Sequence, residues 1–247
     1  MKVTNETICA EACDRRTALK LLGGASLAFA GASLSLPDPA LAAALTKEAR
    51  DKLSPDQVIE MLKQGNERFR AGKMQGHDYL AQKRATSAGQ YPAAAILSCI
   101  DSRAPAEILF DTGIGDTFNA RVAGNIANDD LIGSLEFACA AAGAKLVVVM
   151  GHTSCGAVKG AIDNVELGHL TSLLGKIKPA IAATTYTGER TSKNDAFVDA
   201  VATTNVRRAA DDIRGRSSLL AGLEKDGKIK IVPSMYHLSG GRVEFLA

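Results

Sequence analysis

The sequence predicts a single-domain α/β fold in which a central, mostly parallel β-sheet is flanked by helices. Two short apolar runs, residues 93–98 and 146–150, have the composition of strands that are buried on both faces. A helical pattern lies between them, and the alternation of strand, helix and strand favours parallel pairing through right-handed crossovers. No internal repeat or low-complexity linker divides the sequence. We therefore expect one α/β domain.

Composition excludes several classes of protein. The chain has 247 residues, of which 46% are hydrophobic and 23% charged, as in an ordinary globular protein and unlike a collagen-like, coiled-coil or disordered chain. No apolar run of membrane-spanning length follows the N-terminal region, which excludes a multi-span membrane protein. The formal net charge is +2 without a long basic block, so nothing indicates nucleic acid as a partner.

The first 44 residues are patterned differently from the rest and predict an export signal. The adjacent pair Arg15-Arg16 precedes a weakly apolar stretch over residues 21–36, and small residues at 40–42 offer a cleavage site. This layout resembles a twin-arginine signal peptide. We expect residues 1–44 to be removed on export to the periplasm, which leaves a domain at 45–247 without stable membrane insertion. A short buried N-terminal helix and a retained membrane anchor are the alternatives.

The domain begins with helical patterns. Ser54 and Pro55 are typical of an N-cap and a first helical residue, so a helix is predicted to begin there and to form an N-terminal helical arm. We expect residues 65–69 to end or bend this helix. Residues 72–92 are polar and predict a loop or short helices, and residues 105–111, beyond the first strand, predict a helical turn.

Strands and helices alternate from there to the C-terminus. Residues 117–122 predict a second strand, and Asp129 or Asp130 is expected to cap a helix that runs to Ala142. Gly143 is expected to end that helix ahead of the next strand. Helices are then predicted over 170–183 and 195–223, and closing strands over 229–232 and 243–246.

Cysteine, histidine and charged residues follow two of the predicted strands. The segment Cys99-Ile100-Asp101-Ser102-Arg103 comes after the first, and His152-Thr153-Ser154-Cys155 comes after the strand at 146–150. Because ligand sites of parallel sheets form at the carboxyl ends of strands, we expect both segments to face one crevice. Two thiolates and an imidazole are a zinc ligand set that leaves one tetrahedral position for water, whose pKa zinc lowers toward about 7. The alternative is that these cysteines and the histidine only pack in the core.

Asp101 and Arg103 add a charged pair to this cluster. In an extended segment Asp101 points to the same side as Cys99, and a neighbouring arginine would keep its carboxylate ionised and oriented. Such a carboxylate can accept a hydrogen bond from zinc-bound hydroxide, or it can bind zinc as a fourth ligand and close the site. A structural surface ion pair is the alternative. Cys139 lies among alanines and is expected to be a packed hydrophobic residue.

The pattern Cys-x-Asp-x-Arg followed by His-x-x-Cys resembles the signature of the β-class carbonic anhydrases, and the similarity extends over residues 55–247. Flanking segments agree with it, among them Arg121-Val122-Ala123-Gly124-Asn125 and Val243-Glu244-Phe245-Leu246. The resemblance implies the fold of that family and one Zn²⁺ per subunit, bound by Cys99, His152 and Cys155. It also implies Asp101 and Arg103 as the catalytic dyad and Gln90, Phe118 and Gly156 as residues that bind substrate.

The reaction implied by this resemblance is the reversible hydration of carbon dioxide to bicarbonate and a proton by zinc-bound hydroxide. Ile96 stands where a bicarbonate-inhibited branch of the family has tryptophan, which favours an open zinc site, whereas Phe137 and Val122 depart from common family residues. Family members are dimers or tetramers whose active sites are lined partly by a neighbouring subunit, and a homodimer or homotetramer is expected here. Hydrolysis of carbonyl sulfide or carbon disulfide on the same scaffold and a non-catalytic zinc-binding assembly protein are the alternatives.

Overall fold

A computed structural model describes residues 44–246 of the chain, and the sheet within them has five strands. The strands are β1 (Ala94–Ser98), β2 (Thr117–Arg121), β3 (Leu146–His152), β4 (Lys230–Tyr236) and β5 (Val243–Phe245). They lie in the order β2-β1-β3-β4-β5, and each neighbouring pair is parallel except β4 and β5. The prediction of a mostly parallel central sheet is confirmed. Since β1 and β3 are neighbours, their carboxyl ends lie at the same edge.

Helices flank this sheet. In chain order they are α1 (Lys47–Asp51), α2 (Pro55–Arg70), α3 (Tyr79–Ala85), α4 (Ala106–Leu109), α5 (Asp129–Glu136), α6 (Gly156–Ile162), α7 (Gly168–Gly175), α8 (Lys178–Ala183), α9 (Asp195–Arg216) and α10 (Ser218–Lys225). A 3₁₀ turn covers Ala123–Asn125, and a π-helical turn covers Phe137–Ala141. Within the described residues no helix has the length and apolar character that a membrane span requires. The predicted export signal, apart from Ala44, lies outside the described residues.

Both faces of the central strands are buried, as their continuous apolar sequence predicts. On one face Val147 and Val149 belong to a cluster that includes Val201 of α9. On the other face Val148 belongs to a cluster that includes Leu62 of α2. Because burying one such side chain stabilises the fold by about 1.5–3 kcal/mol, these two layers hold the helices firmly against the sheet.

The helix α2 begins directly after Ser54, as predicted, but it is longer than the sequence suggests. The prediction that residues 65–69 end or bend it is wrong, because the helix continues to Arg70 without interruption. Gly65 serves close packing instead. A β-carbon at this position would lie 1.8 Å from the carbonyl oxygen of Phe110, so the approach of α2 to the following turn requires a glycine.

The helix α5 differs from its prediction at both ends. Its N-cap is Asn128 rather than Asp129 or Asp130, because the Asn128 side chain accepts a backbone N–H in the first turn. The two aspartates instead occupy that first turn, where a negative charge is favourable. At the other end the α-helix stops at Glu136 and becomes the π-helical turn. Gly143, with a φ of 83°, then ends the helical segment as predicted.

Each of the two long helices predicted near the C-terminus is a pair of helices. Residues 170–183 span most of α7 and all of α8, and Pro179 lies in the first turn of α8, where proline can start a helix but could not continue one. Residues 195–223 span α9 and most of α10. Ser217 separates these two, since its side chain caps the N-terminus of α10.

Candidate metal centre

Three of the predicted ligands come together at the carboxyl edge of the sheet. Cys99 directly follows β1, His152 is the last residue of β3, and Cys155 is the N-cap of α6. Because β1 and β3 are adjacent and parallel, both strands bring their ends to the same place. The two sulfur atoms and a ring nitrogen of the histidine all lie within 4.8 Å of one another, and all three residues are buried.

The ring of His152 is oriented by its own loop. Its Nδ1 lies 2.9 Å from the Thr153 carbonyl oxygen, which can only accept, so Nδ1 carries the hydrogen. Nε2 is left with a lone pair. This atom is fully buried and has no hydrogen-bond partner among residues 44–246. A buried nitrogen without a partner is destabilising, and a metal ion is one of the few groups that can satisfy it.

Cys99 and Cys155 shift each other's pKa in opposite directions. Against the effect of burial, the pKa of Cys99 is lowered to about 4, first by a hydrogen bond from Cys155, then by its contact with His152, and further by the backbone N–H of Gly124. The same pairing, together with burial, raises the pKa of Cys155. Burial lowers the pKa of His152, but the Cys99 sulfur and its negative charge outweigh this effect and raise it overall. These contacts favour the thiolate form of Cys99, and thiolate is the form of cysteine that binds metals.

Asp101 is held beside these ligands by Arg103. One carboxylate oxygen accepts from the backbone N–H and from Nε of Arg103, both at 2.9 Å, and the other accepts from Nη2 at 2.8 Å. That second oxygen lies 3.7 Å from Nε2 of His152. Hydrogen bonds from the guanidinium hold the pKa of Asp101 well below its usual range. Only 15% of the Asp101 side chain is exposed, so this pair differs from an ordinary solvated ion pair.

Two further residues, to which the sequence patterns assign no role, contact the segment that carries the first ligand. Arg121 donates from Nε to the Cys99 carbonyl at 2.9 Å and from Nη2 to the Asp101 carbonyl at 2.6 Å. The Gly124 N–H donates to the Cys99 sulfur at 3.4 Å. Gly124 has a φ of 67°, and a β-carbon there would lie 2.5 Å from the Ile177 side chain. Only the Arg-x-Ala-Gly-Asn segment marks these two residues in the sequence.

The loop that joins the second and third ligands is held by other elements. Thr153 donates its backbone N–H to the Tyr236 carbonyl at 3.0 Å. Ser154 donates its backbone N–H to the carboxylate of Asp199, on α9, at 2.7 Å. Ser154 has a φ of 52°, a left-handed conformation that residues other than glycine rarely adopt. No local signal points to Asp199, which lies 45 residues further along the chain.

A cavity of about 240 Å³ opens on the ligand cluster. Cys99, Asp101 and Gly156 contribute to its wall, and the remaining lining is apolar or glycine, namely Ile100, Ala123, Ala157, Gly160, Leu170 and Leu174. Of the three residues predicted to bind substrate, only Gly156 lines this cavity. The cavity suits a small, neutral molecule, because it offers apolar walls on one side and the ligand cluster on the other.

The other two residues predicted to bind substrate lie elsewhere in the described part of the chain. Gln90 lines a separate surface pocket together with Thr86, Ile114 and Gly115. Phe118, on β2, packs edge-to-face against Phe137, with 6.0 Å between the ring centroids. Phe137 is itself 58% exposed. The roles of Gln90 and Phe118 toward substrate remain predictions.

The ligand set fits zinc. Sulfur and imidazole ligands favour zinc over magnesium or calcium, which prefer oxygen. Zinc lies about 2.0–2.3 Å from such ligands, so the ligands of one ion are at most about 4.6 Å apart. Three atoms within 4.8 Å of one another therefore need at most a small closing movement to share one ion. Three protein ligands leave the fourth tetrahedral position open, which is the arrangement of catalytic rather than structural zinc sites.

Comparisons with known proteins point to one family. The family model for carbonic anhydrase matches residues 94–243. The chain is similar to carbonic anhydrase 2 of Mycobacterium tuberculosis, with 36% identity over 191 residues that cover 76% of this chain and 91% of the relative. It is similar to the structure of a β-carbonic anhydrase of Aspergillus fumigatus, with 26% identity, a TM-score of 0.59 and coverage of 66% of this chain and 79% of that one. One of two tetrameric β-carbonic anhydrases of Sordaria macrospora shares the fold, with 20% identity, a TM-score of 0.60 and coverage of 77% and 97%.

Proposed function

This chain belongs to the β-class carbonic anhydrase family and catalyses the reversible hydration of carbon dioxide, and we propose that it does so with one zinc ion bound by Cys99, His152 and Cys155. The observation that carries the proposal is the buried convergence of two sulfurs and a ring nitrogen within 4.8 Å. The unpartnered Nε2 of His152 supports it. When bound, zinc supplies Lewis acidity that brings the deprotonation of water close to neutral pH.

Asp101 orients the oxygen nucleophile in this proposal. Its Oδ2 lies 3.7 Å from Nε2 of His152 and is therefore a hydrogen-bond acceptor at the edge of the ligand cluster. Since Arg103 keeps the carboxylate ionised, Asp101 can accept the hydrogen of the nucleophile and leave a lone pair directed at the substrate. The two guanidinium bonds also hold the carboxylate toward Arg103, which favours an open site over one in which Asp101 is a fourth ligand.

Carbon dioxide binds in the cavity beside the ligands. The molecule is small and uncharged, and Ile100, Ala123 and Leu170 provide an apolar surface for it. The backbone N–H of Gly156 is positioned at the start of α6 and can donate to an oxygen that gains charge as bicarbonate forms. An uncharged substrate needs no charged entrance, which agrees with a net charge of only +2.

Gln90 and Phe118 serve the active site of a neighbouring subunit in this proposal. Gln90 lies in a pocket of its own, away from the ligand cluster, so its side chain is available to a second copy of the chain. The exposed ring of Phe137, packed on Phe118, provides apolar surface for such a contact. We therefore propose a homodimer or homotetramer. The Sordaria macrospora enzymes that share the fold are tetrameric.

Metal analysis tests the zinc proposal directly. Protein purified without added metal or chelator is expected to contain about one zinc per subunit. Its carbon dioxide hydration, followed by stopped flow, is expected to disappear with chelator and to return with zinc. Cys155→Ser is expected to lose the metal, whereas the matched variant Cys139→Ala, which changes a cysteine outside the cluster, is expected to keep it. Full activity in metal-free protein would overturn the proposal. Carbonyl sulfide and carbon disulfide serve as comparison substrates.

Export through the twin-arginine route is the remaining part of the proposal. Zinc binding and folding are coupled, so a protein that folds and loads zinc before export protects its ligand thiols from an oxidising compartment. A reporter fused to residues 1–44 is expected to be exported only by the route that carries folded proteins. Replacement of Arg15 and Arg16 by lysine is expected to block it. Export of the fusion by the route for unfolded chains would contradict this.

A further inference from the structure

We propose that α9 carries two positioning residues of the metal centre: Asp199, which holds the loop that provides His152 and Cys155, and Asn205, which holds the turn after β2 that contacts the Cys99 sulfur. The inference rests on the proposed zinc centre and extends it beyond the three ligands and the Asp101–Arg103 pair. Both side chains act through backbone groups: Asp199 through the Ser154 N–H, and Asn205 through the Gly124 carbonyl.

Asp199 holds the loop of the second and third ligands. Its carboxylate accepts the Ser154 N–H at 2.7 Å, and Ser154 is the residue immediately before Cys155. Ser154 has a φ of 52°, which a residue with a β-carbon adopts only when its surroundings enforce it. The left-handed turn at Ser154 lets two residues of one tight loop, His152 and Cys155, direct their side chains to the same point. The Asp199 contact therefore stabilises the conformation on which both ligands depend.

Asn205 holds the turn that faces the first ligand. The side chain is buried, with 5% exposure, and its Nδ2 donates to the Gly124 carbonyl at 2.8 Å. Gly124 and Asn125 are both left-handed, with φ values of 67° and 43°, so this turn is another conformation that needs support. The N–H of the same glycine donates to the Cys99 sulfur at 3.4 Å. Asn205 thus fixes the direction of a hydrogen bond that stabilises the Cys99 thiolate.

The two residues share one rigid element. They lie less than two turns apart on α9, whose buried face includes Val198 and Val201, both with 0% exposure. Because α9 packs against the central sheet, its position is set by the core rather than by the metal. One helix therefore fixes the distance between the turn after β2, which contacts the Cys99 sulfur, and the loop after β3 before any ion binds. Such preorganisation raises metal affinity and sharpens coordination geometry.

The test for Asp199 compares two substitutions in the full-length protein. Asp199→Ala removes the acceptor, whereas Asp199→Asn keeps an oxygen at the same distance and removes only the charge. Zinc affinity is measured by competition with a chromophoric chelator. Asp199→Ala is expected to raise the zinc dissociation constant about 10- to 100-fold, and Asp199→Asn to change it much less. The control is Asp195→Ala, an aspartate of the same helix whose partner is Lys159 rather than a ligand segment.

The test for Asn205 uses substitutions that remove the donor. Asn205→Ala and the milder Asn205→Ser, whose hydroxyl is too short to reach the Gly124 carbonyl, are both expected to weaken zinc binding about 10-fold or more. Thr204→Val is the control. Thr204 also lies on α9, and its replacement removes a half-buried hydrogen bond to Thr184 without affecting a segment that contacts the ligands. It is expected to lower the unfolding temperature and leave the dissociation constant unchanged.

Cobalt substitution separates positioning from general stability. The cobalt-loaded protein has a thiolate-to-metal charge-transfer band whose position and intensity report the geometry of the two sulfurs. This band is expected to shift in Asp199→Ala and Asn205→Ser and to be unchanged in Asp195→Ala and Thr204→Val. If both site variants bind zinc and give the cobalt spectrum of the wild type, the positioning role is wrong. If the wild type itself binds neither metal, the zinc proposal fails instead.

Discussion

The carboxylate of Asp101 owes both its charge and its orientation to one neighbour, Arg103. Asp101→Asn is expected to lower the rate of carbon dioxide hydration about 10²- to 10³-fold, because the amide is a poorer acceptor and presents an N–H₂ group to the nucleophile. Zinc content should be unchanged. Arg103→Lys keeps the positive charge but cannot form the same paired bonds, so an intermediate rate is expected. Stopped-flow kinetics distinguish these outcomes, and an equal rate in Asp101→Asn would show that Asp101 does not contribute to the catalysed step.

Asp111 is a buried acid outside the ligand cluster, and no sequence pattern indicates its importance. Its carboxylate accepts from Arg68 Nε at 2.5 Å, from the Gln75 N–H and from His77 Nε2 at 3.1 Å. Asp111 has a φ of 49°, which asparagine tolerates as well as aspartate. Asp111→Asn is therefore expected to lower the free energy of unfolding by about 3 kcal/mol at neutral pH through loss of the charge alone. Urea titration measures this.

The contribution of Asp111 should also depend on pH. Burial alone would raise its pKa, but Arg68, Gln75 and His77 together hold the pKa below the ordinary value of 3.8. A lowered pKa in the folded state means that the stabilisation is present above the unfolded pKa, about 3.9, and is lost as the pH falls through the lower folded value. The difference in the free energy of unfolding between the wild type and Asp111→Asn should accordingly become smaller below about pH 4. Asp226→Asn, at an exposed ion pair, is the control and should change little at any pH.

Among the helices, α2 contains a glycine whose function is steric rather than conformational. Gly65→Ala would gain helix propensity of up to about 1 kcal/mol but would place a β-carbon 1.8 Å from the Phe110 carbonyl oxygen. The Phe110 backbone cannot easily move away from this β-carbon, so a net loss of about 2–3 kcal/mol in the free energy of unfolding is expected. The matched control is Gly222→Ala in α10, where a β-carbon would meet nothing within 4 Å and a gain of about 0.5–1 kcal/mol is expected. A stabilised Gly65→Ala protein would show that the contact relaxes.

Local signals explain which elements the sequence predicts well. The strands β1 and β3 are continuous apolar runs, and the ligands follow them within one or two residues, so both could be located without a structure. The divisions at Pro179 and Ser217 are weaker local signals that a simple count of apolar periodicity overlooks. The contacts of Arg121 and Asn205 cannot be predicted from local sequence, because their partners lie 22 and 81 residues away. These contacts form only when β2 and α9 pack in the folded domain.

At the level of the whole molecule, the proposed assembly predicts complementation between defective subunits. Asp101→Asn and Gln90→Ala homo-oligomers should each have low activity. If Gln90 acts across the interface, a hybrid dimer of the two contains one site with both defects and one intact site. Mixing equal amounts, with exchange of subunits, should therefore restore roughly a quarter of the wild-type activity. Activity that stays at the level of the separate variants would place Gln90 within its own subunit's site.

Metal removal should affect stability as well as activity. An ion that binds only the folded chain stabilises it by about 4 kcal/mol at a thousandfold excess over its dissociation constant. For a domain of this size such a change corresponds to a shift in unfolding temperature on the order of 10 °C. Differential scanning calorimetry of chelated and zinc-loaded protein measures the shift. Equal unfolding temperatures would mean that zinc does not bind the folded chain in preference to the unfolded chain, which would contradict the zinc proposal.

The separation of the ligands along the chain has a consequence during synthesis. Cys99 leaves the ribosome well before His152 and Cys155, because β2, α5 and β3 are translated in between. At 5–20 residues per second this interval lasts roughly 3–10 s, during which the first thiol has no partner for a metal. A complete binding set appears only after β3 has emerged and can add to the growing sheet. Zinc capture by all three ligands must therefore wait for β3, whereas α9 and β4, which complete the core, emerge only afterwards.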